Sequence, residues 1–318
     1  MGRAMINTTE TVKKKDRFLR CLKSNLQKHP TLYFMAVPVF IYYFVFHYLP
    51  MYGIIIAFQN FVPARGILGS EWVGFKHFID FFSDPYFMRV VKNTFALNIY
   101  DLIFGFPIPI IFALLLNEIT RTKYKKFVQT VTYMPHFIST MVICGLATTF
   151  LKSDGVITYI ITLFGGEATN YLGKPEAFRS IYTIMNIWQE FGWGSIIYIA
   201  ALTSVDPVLY EAASIDGANR FQKAVKITLP CISPTIVTLL ILRMGKMMTL
   251  GFEKIILLYN PLTYDTADVI SSYVYRRGLQ QFDYSYGAAV GFFNAVINFA
   301  LLIIANNISK KINNSSIW

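Results

Sequence analysis

The sequence predicts an all-α, polytopic membrane protein with about six transmembrane helices. Its 318 residues are 54% hydrophobic, 16% aromatic and only 15% charged, more apolar surface than a soluble core of this size holds. The charges that remain gather in short basic runs beside long apolar segments, as the positive-inside bias requires. That placement accounts for a formal net charge of +11 and argues against a nucleic-acid partner. Cys21, Cys144 and Cys231 show no CxxC pairing, so neither a disulfide framework nor a metal site is expected.

Residues 1–29 carry eight Lys and Arg and read as a cytoplasmic basic tail; the apolar run that follows is too long for a cleavable signal. A first span is expected from about Leu32 to Phe58, running outward through a stretch free of formal charge. Gly66 to Arg89 mixes Trp72, Phe75, Phe78, Phe81 and Phe82 with Lys76, Asp80 and Asp84, which suits an interfacial helix and loop. A second span, from about Asn93 to Leu116, is broken by Pro107 and Pro109 and carries Asp101. It returns the chain to a basic loop, Glu118 to Lys126. Phe127 to Leu151 forms a third span containing His136, and Ser180 to Leu202 a fourth. A fifth begins near Leu229. The sixth, about Tyr284 to Asn307, precedes Lys310 and Lys311, so residues 30–308 read as one membrane domain and 309–318 as a cytoplasmic tail.

Between the fourth and fifth spans lies an amphipathic stretch, residues 206–230. Asp206 can cap a helix whose first turn tolerates Pro207, and Gly217 can end it in a left-handed conformation. Asn219 with Gln222 three positions on can cap a second short helix before Pro230. The expectation is helix, turn, helix. Glu211-Ala212-Ala213, Gly217, then Ile227 and Leu229-Pro230 resemble the EAA motif of ABC-importer permeases. The resemblance implies that Glu211, Ala212, Ala213, Asp216, Gly217, Leu229 and Pro230 fit a cleft on a separate ATP-binding subunit, so that nucleotide-driven closure moves the membrane helices. VGFKHF at Val73–Phe78, NTF at Asn93–Phe95, GKMMTLGFEK and the following Leu258–Leu279 stretch also resemble the maltose-type, carbohydrate-importing family, in its complex-oligosaccharide branch.

Membership there implies a type I permease fold, a second homologous permease, two copies of the ATPase, an external solute-binding protein and a bacterial plasma membrane location with both termini cytoplasmic. No cofactor is expected on this chain: it lacks GxxxxGK[ST], which places ATP and Mg on the partner ATPase and makes the chain a translocator, not an enzyme. Glu190, Arg243 and Lys246 are charges inside spans, each costing about 2.5 to 3.5 kcal/mol at a helix centre. Glu190 pairs internally with Arg243, or Arg243 or Lys246 snorkels outward, or the charges line a solute pathway together with Met244, Met247, Met248, Gly251 and Phe252. Asp101 pairs within the bundle or faces the cavity, and His47 and His136 read as packing histidines. If the cations face cargo, an acidic oligosaccharide is the first expectation; a Glu190–Arg243 pair would leave a site for neutral sugars. The alternative cargoes on the same architecture are amino acids, peptides or an inorganic anion. A membrane enzyme is disfavoured because no cluster of His, Asp or nucleophile shares a membrane depth, and a channel because no filter-like loop repeats.

Overall fold

The computed structural model describes Lys28, residues 30–249 and residues 251–313. All but Lys28 of the expected basic tail, Cys21 and the last five residues of the C-terminal tail lie outside the described residues. Internal contacts divide the chain after Ile55, and each side is described by itself.

The first helical run, α1, is Pro30–Phe58. It has no formal charge from end to end, and in hydrocarbon a helix is the arrangement that pairs every backbone group within the segment. Pro50 has no N–H and its ring crowds the carbonyl four residues back; just before it the helix widens into a π-turn, Phe44–Tyr48, closed by Leu49 N–H on the Phe44 carbonyl.

Two short strands, β1 (Gln59–Asn60) and β2 (Glu71–Trp72), pair antiparallel and lead to α2, Lys76–Phe82. Phe58 stacks on Trp72 with centroids 5.7 Å apart, so the aromatic residues of this interfacial segment pack on one another. α3 (Phe87–Asn117) starts six residues ahead of the expected Asn93. It too has a π-turn before a proline: Phe106 N–H bonds the Asp101 carbonyl at 3.0 Å, immediately ahead of Pro107.

The third span is not one straight helix. α4 (Thr122–Phe137) and α5 (Thr140–Phe150) meet at 94°, because Pro135 interrupts the first and Ser139 caps the second by accepting from Val142 N–H. A short α6, Val156–Leu163, follows, then α7, Pro175–Leu202, and α8, Pro207–Ile215, bent from it by 78°. α9 runs Arg220–Met244, α10 Phe252–Leu258, α11 Ile270–Val274 and α12 Tyr284–Asn313. Four of these helices are long and apolar enough to cross a membrane, and six spans result if each bent pair counts as one. α12 extends beyond residue 308, the expected edge of the membrane domain.

Asn93 and Thr94 of the NTF motif fasten the segment between α10 and α12. The Asn93 amide donates to the carbonyls of Asp265 and Asp268, each at 3.0 Å, and its oxygen accepts from Arg179 at 2.9 Å; the Thr94 hydroxyl accepts from Ile270 N–H. Asp268, fully buried, accepts from Arg89 and Arg276. Lower in the bundle, Ile110, Ala113, Tyr198, Leu202, Val205 and Ile232 form one cluster that joins α3, α7 and α9.

Candidate coupling surface and solute cavity

The stretch between the fourth and fifth spans folds as its cap residues dictate. Asp206 Oδ1 accepts from Val208 N–H at 2.9 Å and Pro207 opens α8. Gly217 has φ of +77°, and around it Ala218 N–H reaches the Ala213 carbonyl at 2.8 Å while Gly217 N–H reaches that of Ser214 at 3.2 Å. This is a Schellman end, and it satisfies carbonyls that would otherwise stop in mid-air. Asn219 and Gln222 exchange main-chain bonds at 2.8 and 2.9 Å in a capping box. The second helix is not separate, however. It is the first turn of α9, carried through a π-turn, Ala224–Thr228, that ends at Leu229 ahead of Pro230, so Leu229 and Pro230 sit inside the fifth span.

No residue of α8 is buried. Glu211 and Ala212 are exposed and Ala213 partly so, while Ile215, an apolar surface position already legible in the sequence, is 87% exposed and Phe221, which the sequence did not single out, is 77% exposed beside it. Behind this face the hairpin is fastened: the Tyr210 hydroxyl meets that of Thr228 at 2.9 Å, Lys223 donates to Ser214 Oγ at 2.7 Å, and Tyr210, Ile227 and Leu229 pack on the cluster that joins α3, α7 and α9. The hairpin is thereby tied to three spans at once, α3, α7 and α9.

Higher up, a cavity of about 560 Å³ opens between α3, α7 and the region from α9 to α10. Glu190, Arg243, Lys246 and Gly251 line it together. Met244 and Met247 line a smaller adjoining recess with Asp101 and Arg243, and Met248 is buried on the far side. The expected Glu190–Arg243 pair is not formed. Arg243 is paired with the Asp101 carboxylate, because the π-turn at Asp101–Gly105 turns that side chain toward α9 and Gly105 leaves room for it. A Cβ at Gly105 would stand 2.6 Å from Asp101 Oδ1 and 3.2 Å from Arg243 Nη2. Glu190 instead meets His136 Nδ1 at 3.0 Å, and the imidazole lies flat on Trp193 with centroids 4.5 Å apart. His136 thus packs as expected, and it also holds the carboxylate at the cavity wall.

The sequence reading missed Asn186 and Lys254. Asn186 donates to Asp101 Oδ1 at 3.1 Å and accepts from Lys254 Nζ at 2.7 Å, so Lys254, Asn186, Asp101 and Arg243 form one polar chain across the cavity. Lys254 is only 8% exposed. Among the described residues neither it nor Lys246 has a carboxylate within ion-pair distance, whereas Arg243 does. A signal existed: Asn186 stands four residues before Glu190 on one helix, hence on one face, and Lys254 closes the GFEK run.

A family model described as the binding-protein-dependent transport system inner membrane component matches residues 86–314. The chain belongs to this family. It is therefore an inner membrane component of a transport system that works with a binding protein. Among similar family members, the polygalacturonan/rhamnogalacturonan transport system permease protein YteP of Bacillus subtilis (strain 168) is 47% identical over 96% of this chain and 95% of that protein. Protein LplB of the same organism is 43% identical over 92% of each. A crystal structure of a bacterial ABC transporter involved in the import of the acidic polysaccharide alginate contains a chain 45% identical to this one, with a TM-score of 0.84 over 92% of this chain and 99% of that one. A crystal structure of a bacterial alginate ABC transporter in complex with an alginate pentasaccharide-bound periplasmic protein contains a chain 44% identical to this one, with a TM-score of 0.85 over 92% of this chain and 99% of that one. The fold is the type I permease fold of ABC importers.

Proposed function

We propose that this chain is the translocating subunit of an ATP-driven importer of acidic oligosaccharides, which an external solute-binding protein delivers. The observation that carries the reading is the pair of cations Lys246 and Lys254, which line the cavity and, among the described residues, have no carboxylate within ion-pair distance, while Arg243 is neutralised by Asp101. In a cavity of low effective dielectric, a uronate carboxylate gains more from such charges than it would in water. The relatives that transport polygalacturonan and alginate handle polymers of the same acidic class.

ATP, together with Mg, is bound by two copies of a separate ATPase that hydrolyse the nucleotide, and a second homologous permease completes the pathway. Both termini and residues 206–230 face the cytoplasm. Closure of the ATPase pair on Glu211, Ala212, Ala213, Asp216 and Gly217, with Ile215 and Phe221 beside them, drives the hairpin. Because its base packs on α3, α7 and α9, the cavity walls move with it and open outward; hydrolysis resets them.

The test is ATPase stimulation of the complete complex in proteoliposomes by binding protein loaded with uronic-acid oligomers, against the same protein loaded with neutral oligomers of equal length. Stimulation and uptake by the acidic oligomers alone support the reading. Equal transport of both would remove the charge argument, and stimulation only by amino acids, peptides or an inorganic anion would replace the cargo altogether.

A further inference from the structure

The fifth span does not pass straight from α9 into α10. After Gly245 N–H, which reaches four residues back to Ile241, the turns tighten: Lys246, Met247 and Thr249 each bond only three residues back. Met248 falls out of this ladder. Its N–H donates to Asn298 Oδ1 at 2.7 Å and its carbonyl accepts from the Asn294 amide at 3.0 Å. The two asparagines lie four apart on α12, hence on one face, and both are buried. Together they replace both main-chain partners that the break takes from one residue, which hydrocarbon cannot supply. The Met248 side chain is held as well, 1% exposed among Phe81, Tyr273, Tyr286 and Val290. Its neighbours Lys246 and Thr249 face the cavity.

The geometry points to Asn294 and Asn298 as positioning residues for transport: by gripping the main chain of Met248 they keep the helix of the fifth span interrupted where it presents Lys246, Thr249 and Gly251 to cargo. The proposal rests on the cavity being the cargo site. Neither asparagine lines it, so their effect on cargo runs through the segment they hold. The stretch from Gly245 to Thr249 contains no proline, and nothing in its own residues forbids a continuous helix.

The test uses the whole complex, solubilised and assembled, carrying Thr249→Cys in a background without the native cysteines and reacted with a hydrophilic thiol reagent. Asn298→Leu removes the acceptor at nearly constant size; it should slow labelling at position 249 about ten-fold and raise the concentration of loaded binding protein needed for half-maximal ATPase stimulation by a similar factor. Labelling of Glu71→Cys on the outer ribbon should stay the same, which reports an intact fold. Asn298→Asp keeps the acceptor oxygen and should restore both readings, and Asn294→Ala should shift them less in the same direction. Unchanged labelling at 249 in Asn298→Leu, with the complex assembled, overturns the clamp. Slowed labelling with normal cargo stimulation overturns the positioning role by showing that the cavity is not where cargo is read, and leaves the clamp intact. If Asn298→Leu does not assemble, the same two readings on Asn294→Ala decide.

Discussion

At the scale of single residues, the cavity is governed by which charge is already answered. Arg243 is answered by Asp101; both side chains are only partly buried, so breaking the pair from one side costs less than the roughly 3 to 5 kcal/mol of a fully buried pair. Arg243→Gln and Asp101→Asn should therefore each lower the yield of folded protein, and the double change should recover part of it, as read by size-exclusion of the solubilised chain. Gly105→Ala should act in the same direction by forcing the pair apart. Lys254 is different, since its partner is a neutral amide. Lys254→Gln should leave folding intact and weaken stimulation by uronic-acid oligomers about ten-fold; an equal loss with neutral oligomers would deny it a role in reading charge. Between α2 and α3, Asp84 accepts from the Tyr273 and Tyr286 hydroxyls and from Tyr86 N–H. Burial raises its pKa, but these bonds outweigh burial and hold the carboxyl below its ordinary value of 3.8, while burial and the same carboxylate push Tyr273 up to about 12. The folded-state value being the lower one, the stabilisation is present above pH 3.8 and is lost as pH falls through the folded value. Thermal unfolding of the solubilised complex should thus be insensitive to Asp84 titration between pH 5 and 8, whereas Asp84→Asn should lower its midpoint throughout that range.

At the scale of elements, the hairpin was the most legible part, because its signals are local: Asp206, Gly217, Asn219 and Gln222 each do in space what their residue types do in any chain. What escaped was its far edge, since a π-turn leaves no mark in composition and lets α9 begin at Arg220 instead of near Leu229. The bend of the third span escaped in a similar way; Pro135 and Ser139 were visible, but their joint effect depends on what packs around them. Pairing in the cavity was less legible still. Asp101 and Glu190 are equivalent acids in a sequence, and only the phase of each helix decides which of them meets Arg243. Gly217→Val forces a branched side chain into φ near +77°, and Glu211→Lys reverses an exposed charge. Both should insert normally and abolish uptake in proteoliposomes, with the ATPase bound weakly or hydrolysing without transport. Normal uptake by both would show that this surface does not couple.

For the molecule as a whole, hydropathy was enough to find the apolar segments, four long helices and two bent pairs that bring the count up to six, because a bilayer punishes every unpaired backbone group alike. The side of the membrane on which each loop lies is proposed from the basic runs and is open to direct measurement. Cysteines at Glu71, Gly166 and Tyr264 should react with an impermeant thiol reagent in intact cells, and one at Asn219 only after lysis. The reverse pattern would invert the orientation and with it the assignment of the ATPase face. Asn93, which ties α3 and α7 to the segment between α10 and α12, shows why the NTF motif is long-range in effect although short in sequence.

Three times among the described residues a helix takes one extra residue into a turn just ahead of a proline, before Pro50, Pro107 and Pro230. Each such residue advances the downstream face by about 100°. The turn at Ala224–Thr228 therefore works as a keyed joint between hairpin and span: deleting one residue there would keep every apolar segment and every cap, yet aim the hairpin a quarter-turn away from whatever drives it.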